Sequence, residues 1–138
     1  MGNYEIDWSK PWTTFLSKGT HLPKSSNFYK TRVEIWEADK AFDTVEKAYQ
    51  YAVSYMFDDP QAMDAVSQPN LKAVEVKCIA RAHKQQFLTE GGRAALSHML
   101  PYIMRPLLTQ KFEDPEVAAE LHNTGDQQLL EANRKDAF

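Results

Sequence analysis

The sequence predicts an α+β fold: a compact, helix-dominated single domain with a few short strands. Three observations carry that prediction. Between Asp43 and Phe57, residues Val45, Ala48, Tyr49, Ala52, Val53 and Met56 fall at the i, i+3, i+4, i+7, i+8, i+11 spacing of a helix with one buried stripe. Aspartate precedes proline at Asp59-Pro60 and again at Asp114-Pro115, each time offering an N-cap and a proline for the first helical position. Alternation of Val33 and Ile35 with Arg32 and Glu34 marks a short strand from Thr31 to Trp36.

Residues 1–24 show no sustained period and carry Trp8, Pro11, Trp12, Gly19 and Pro23. They read as a loop-rich lead-in packed on a domain formed by residues 25–138. After the strand and the central helix, Asp59-Pro60 opens a short helix to about Val66. Asn70 offers the cap of another helix, with Leu71, Val74, Cys78 and Ala82 on its buried side, so Cys78 reads as an inert core thiol. Gly91-Gly92 interrupts before an apolar segment from Leu96 to Leu108, in which Pro101 and Pro106 predict two helical pieces or a kinked one. The last helix starts at Pro115 and ends near Asn123-Thr124-Gly125, with Gly125 as its C-terminal cap. Gln128 to Glu131 reads as a brief strand.

Composition excludes several classes of function. A chain of 138 residues, 43% hydrophobic, buries one ordinary core. Its net charge of −3 argues against a protein that coats nucleic acid by bulk charge. The single cysteine forms no intrachain disulfide, and His21, His83, His98 and His122 are too scattered for a metal site, so neither metal nor cofactor is expected. No apolar run approaches the roughly 20 residues of a membrane span. The N-terminus lacks the features of a signal peptide, and Ile6 stands where a myristoylation signal needs Ser or Thr. The expected compartment is the cytoplasm, a host's if the chain is viral. Charge is unevenly spread, however. From Trp8 to Val33 there are five basic residues (Lys10, Lys18, Lys24, Lys30, Arg32) and no acidic one, so the −3 of the whole less this +5 leaves the remainder at −8. With Trp12, Phe15, Phe28 and Tyr29 interleaved, the stretch reads either as a positive rim for phosphates and stacked bases or as a solvated loop anchored by its rings.

The central helix carries Glu46 and Gln50 one turn apart at the edge of the stripe. Asp43 followed by Glu46 is also the pattern of a capping box, in which the glutamate ties down the helix start. A carboxylate beside buried rings is, alternatively, easily desolvated and so suited to proton transfer. Around this helix lie Ser26-Asn27-Phe28-Tyr29, then Met104 with Lys111-Phe112, Leu121, Thr124-Gly125-Asp126, Leu129-Leu130-Glu131 and Asp136. That order of pieces, from about Ser25 to the last residue, resembles the NADAR family, also called YbiA-like.

The resemblance implies an enzyme that cleaves N-glycosidic bonds of ribosylated compounds. Its substrates would be ADP-ribose on guanine, as base, nucleoside or nucleic acid, or riboflavin-pathway ribosylamines. Such chemistry builds positive charge on the ribose C1′, which a carboxylate stabilises while a second group activates water or protonates the leaving nitrogen. Glu46 matches the family's helix glutamate, and Glu131 and Asp136 are the further carboxylate candidates. Gln50 would hold a ribose hydroxyl or the base edge; Asn27, Phe28 and Tyr29 would clamp and stack the base. Lys111 would meet a phosphate or ribose oxygen, unless it is a surface lysine beside a core Phe112. Two departures stand out. Val53 replaces a lysine common in the family, whose role Lys47 or Lys30 would take over, and no Trp-Gly follows Asp136. These leave open a non-catalytic module that binds ADP-ribose or a nucleotide.

Overall fold

A computed structural model describes residues 5, 7–16 and 22–132, with only the backbone described at 14–16 and 131–132. Four strands and five helices follow in the order β1 (Trp12–Leu16), β2 (Lys30–Ile35), β3 (Lys40–Thr44), α1 (Val45–Met56), α2 (Pro60–Val66), α3 (Ala73–Lys84), α4 (Glu90–Lys111), α5 (Pro115–His122) and β4 (Gln128–Ala132). The architecture is α+β, with two small sheets. β2 and β3 form an antiparallel hairpin, and β1 pairs with β4 in parallel, Trp12 opposite Gln128 and Leu16 opposite Ala132. Among the described residues no helix is long and apolar enough to cross a membrane.

Helix α1 is the centre of the packing. On one side Val45 and Ala48 join Val33 of β2 and Leu107 of α4 in a buried cluster. On the other, Tyr51 meets Val66 of α2 and Val76 and Ala80 of α3. Phe42 of β3 bridges the two clusters, its ring 5.3 Å from that of Tyr51. Each fully buried valine contributes on the order of 1.5 kcal/mol or more, so α1 is fixed from several directions at once. Its cap differs from the expected one. Thr44, not Asp43, is the N-cap, and its Oγ1 accepts the Lys47 N–H at 3.1 Å. Strand pairing explains the shift: β3 runs through Thr44, opposite Lys30, so Asp43 is still extended backbone and its carboxylate meets Lys47 Nζ at 2.9 Å. With the cap at Thr44, the third helical position is Lys47, and Glu46 closes no capping box.

The two aspartate-proline starts are as read. Asp59 accepts the Ala62 N–H at 3.1 Å and Asp114 the Glu116 N–H at 2.9 Å, but the C-cap of α5 is Asn123 rather than Gly125, which follows two residues later at φ +56°. Helix α3 corrects the sequence reading. Asn70 sits in the preceding turn at φ +66°, Lys72 is the N-cap, and the helix begins at Ala73. Val76 and Ala80 are therefore its buried residues, while Val74, Cys78 and Ala82 face solvent. Cys78 is an exposed free thiol rather than a core one.

Helix α4 is also a correction, since it runs unbroken for 22 residues through Pro101 and Pro106. The carbonyls that lose an N–H partner belong to Ser97 and Tyr102, both exposed residues, where water can replace the lost donor. Gly91 and Gly92 lie in its first turn, where Thr89 Oγ1 accepts the Gly92 N–H at 3.2 Å. A Cβ on Gly92 would lie 1.7 Å from the Phe87 carbonyl oxygen, so this close approach requires glycine. Further along α4, the Gln110 amide pairs with the Glu34 backbone, accepting its N–H at 2.8 Å and donating to its carbonyl at 2.9 Å. Strand β1 lies in the segment read as loop, because its partner β4 is more than a hundred residues away and no local alternation announces it.

Candidate active site

The site is built where α1 meets the loop Ser26–Tyr29. The loop is tied down from two helices. From α1, the Glu46 N–H donates to the Asn27 carbonyl at 3.0 Å. From α4, the Lys111 ammonium donates to the Ser26 carbonyl. The loop also closes on itself, with the Phe28 N–H on Ser26 Oγ at 3.1 Å and the Tyr29 N–H on the Ser26 carbonyl at 3.1 Å. These bonds hold Asn27 and Phe28, both half-buried, at the start of α1. The Asn27 side chain makes no hydrogen bond among the described residues.

Glu46 is 6% exposed and Gln50 is 2% exposed. The Gln50 Nε2 donates to Glu46 Oε1 at 2.9 Å, and Ser54 Oγ donates to the Gln50 carbonyl one turn on. Gln50 Oε1, equally enclosed, has no hydrogen-bond partner among the described residues. A buried acceptor left unpaired costs on the order of 1–3 kcal/mol, so its presence beside a buried carboxylate makes this pair the candidate site. Tyr49 adjoins the pair: burial pushes its phenol up, and the charge of Glu46 adds to the effect. Helix α3 supplies the opposite charge. Burial pushes the Lys84 ammonium down, the negative charge of Glu46 works against this, and Arg81 and Lys77 reinforce it. Lys77 Nζ itself lies 5.8 Å from the centroid of the Phe28 ring.

Lys84 and Lys77 were not picked out from the sequence. Their signal is the i, i+4, i+7 spacing of Lys77, Arg81 and Lys84, a basic line along one side of α3. The position expected to hold a lysine, Val53, is buried in the α1 core.

The remaining predicted site residues divide. Lys111 is 0% exposed, and its Nζ lies 6.0 Å from the ring centroids of Tyr29 and Phe112, so it supports the loop from beneath rather than reaching into a cleft. Burial lowers its ammonium to about 8, and the Glu120 charge works against that. Tyr29 is half-buried on this inner side. Glu131 lies in β4 opposite Phe15, with its side chain outside the described residues, and Asp136 lies outside them altogether. Thus Glu46, Gln50, Asn27 and Phe28 come together, while Tyr29 and Lys111 form the floor of the same loop.

The basic lead-in is partly neutralised. Lys10 pairs with Asp7 at 3.9 Å and Lys24 with Glu116 at 3.3 Å, while Lys18 lies outside the described residues. The Lys24 N–H donates to Glu120 at 3.2 Å, fastening the lead-in to α5. Beside the site, a cavity of about 440 Å³ opens between Phe28, Lys30, Asp43, Thr44, Lys47 and the start of α3. Among the described residues no group of three or more histidine, cysteine, aspartate or glutamate side chains is arranged to hold a metal ion. Neither a family model nor a curated protein matches the chain.

Proposed function

We propose that the protein is an N-glycosidase that hydrolyses the bond between an ADP-ribosyl sugar and a nitrogen base, with ADP-ribosylated guanine as substrate. The observation that carries this reading is the Glu46–Gln50 pair: a carboxylate withdrawn from water, held by one amide hydrogen bond, beside a buried acceptor without a partner. In the reaction, the C1′–N bond breaks as positive charge grows on the ribose ring. Glu46 stabilises that charge and takes a proton from the attacking water, whose oxygen bonds to C1′, and that proton passes on to the leaving nitrogen. Gln50 Oε1 accepts a hydroxyl of the ribose, which supplies the donor it lacks. Phe28 offers a face for the base, with Lys77 above its ring. The order of sequence pieces resembling the NADAR family supports the same chemistry, and Lys84 supplies a cation near Glu46 although Val53 occupies the lysine position.

Val53 favours a second reading, a module that binds ADP-ribose without turning it over. The test is to incubate purified protein, side by side, with an ADP-ribosylated guanine oligonucleotide, the free nucleoside derivative and a riboflavin-pathway ribosylamine. Free ADP-ribose should appear in proportion to enzyme with the first two. Cleavage of the ribosylamine alone would reassign the substrate. Calorimetric binding of ADP-ribose with no product from any of the three would leave the binding module.

A further inference from the structure

We infer that the cavity bounded by Phe28 binds a diphosphate through Lys30, Lys47 and Lys72. The inference rests on the glycosidase reading only for what the diphosphate is attached to, an ADP-ribosyl group.

The cavity gathers side chains from separate parts of the chain. Lys30 comes from the start of β2, Asp43 from β3, Lys47 from α1 and Lys72 from the cap of α3. Its volume of about 440 Å³ lies within the range of small-molecule sites, roughly 300–1,000 Å³. Three lysines and one aspartate line it, an excess of two positive charges. A diphosphate diester carries two negative charges, one on each phosphorus, so the charges match. Lys47 is the pre-set element. Its side chain is 16% exposed and is held by Asp43 at 2.9 Å, so it is oriented before any ligand arrives. Lys30 and Lys72, by contrast, form no ion pair among the described residues, and both are exposed. They can close on phosphate oxygens at small desolvation cost.

Position supports the assignment as well. Thr44 and Lys47, which line the cavity, flank Glu46 in sequence, and Phe28 lines it while belonging to the loop that Glu46 holds. A ligand stacked on Phe28 therefore reaches the lysines with one end and the first turn of α1 with the other. Lys10 and Lys24 of the lead-in line no part of this cavity, so the phosphate site lies at the α1–α3 side of the loop.

Titration of the full chain with inorganic pyrophosphate, followed by calorimetry at low and moderate salt, tests the inference. Saturable binding that weakens with salt is expected. The double substitution Lys30→Ala with Lys72→Ala should weaken it tenfold or more, and Lys30→Arg with Lys72→Arg should restore most of it. Lys10→Ala, an exposed lead-in position away from the cavity, should bind pyrophosphate within twofold of wild type. Absence of saturable binding, or equal binding by the double alanine variant, overturns the inference. The two readings fail separately. Lysine-dependent pyrophosphate binding without turnover of ADP-ribosylated guanine keeps the subsite and removes the glycosidase. Turnover with a KM unmoved by the lysine substitutions does the reverse.

Discussion

Glu46 and Lys111 are both charged residues taken out of water, and both grip the Ser26–Tyr29 loop, yet their surroundings differ in kind. Lys111 is wholly enclosed, with a backbone carbonyl as partner and the rings of Tyr29 and Phe112 at 6.0 Å. Every feature around it serves to hold the loop. Glu46 holds the loop with its backbone N–H, which leaves its carboxylate free of that task. The carboxylate meets a single amide, and that amide carries an unpaired oxygen. A buried charge whose neighbours are all satisfied is architecture. A buried charge beside an acceptor unpaired among the described residues is a candidate site.

Substitutions at the two positions sharpen the contrast. The largest effect on stability belongs to Lys111. Lys111→Ala should cost about 3 kcal/mol or more, through the cavity it leaves and the loss of its bond to the Ser26 carbonyl. Lys111→Met, which fills the same space, should lie within about 1 kcal/mol of wild type. Thermal unfolding of both variants checks this, and equal melting points for the two would mean the lysine is no strut.

The same residue sets a pH dependence. Its ammonium is lowered from 10.5 to about 8 in the folded chain, so between those values the unfolded chain binds more protons. Stability should accordingly rise as pH goes from about 8 toward 10.5, with the burial penalty fully present below that window. Chemical denaturation at a series of pH values should show the rise in wild type and lose it in Lys111→Met. A flat profile in both would separate Lys111 from the effect.

Gln50→Met removes the unpaired acceptor but also the hydrogen bond that holds the buried Glu46 carboxylate, so turnover should fall about tenfold and stability by about 1–3 kcal/mol. If stability fell and turnover held, Gln50 would belong with Lys111 on the structural side. The smallest effect is at the cap that starts α1. Thr44→Ala should cost about 1 kcal/mol by denaturation, with a correspondingly modest loss of turnover.

Much of this arrangement was legible in the sequence, for reasons that differ by element. The periodicity of α1 and the aspartate-proline starts of α2 and α5 are local signals, and local signals survive folding. Strand β1 was not legible because its pairing with β4 joins the two ends of the described chain. Asn70 has the chemistry of a cap but occupies a left-handed turn, which moved the buried face of α3 from Val74 and Cys78 to Val76 and Ala80. At the site, Glu46 and Gln50 showed themselves through their one-turn spacing. Lys84 did not, since its proximity to Glu46 arises from the packing of α1 on α3. The burial of Lys111 was equally hidden, because a lysine in the last turn of a helix is ordinarily solvated.

The single-turnover rate of Glu46→Gln on ADP-ribosylated guanosine, at saturating enzyme and with a matched melting point, tests the central claim most directly. Removing the charge while keeping the size should lower the rate about a thousandfold or more, with ADP-ribose affinity little changed. Release of ADP-ribose at the wild-type rate by this folded variant would contradict the assignment of Glu46 as the catalytic carboxylate.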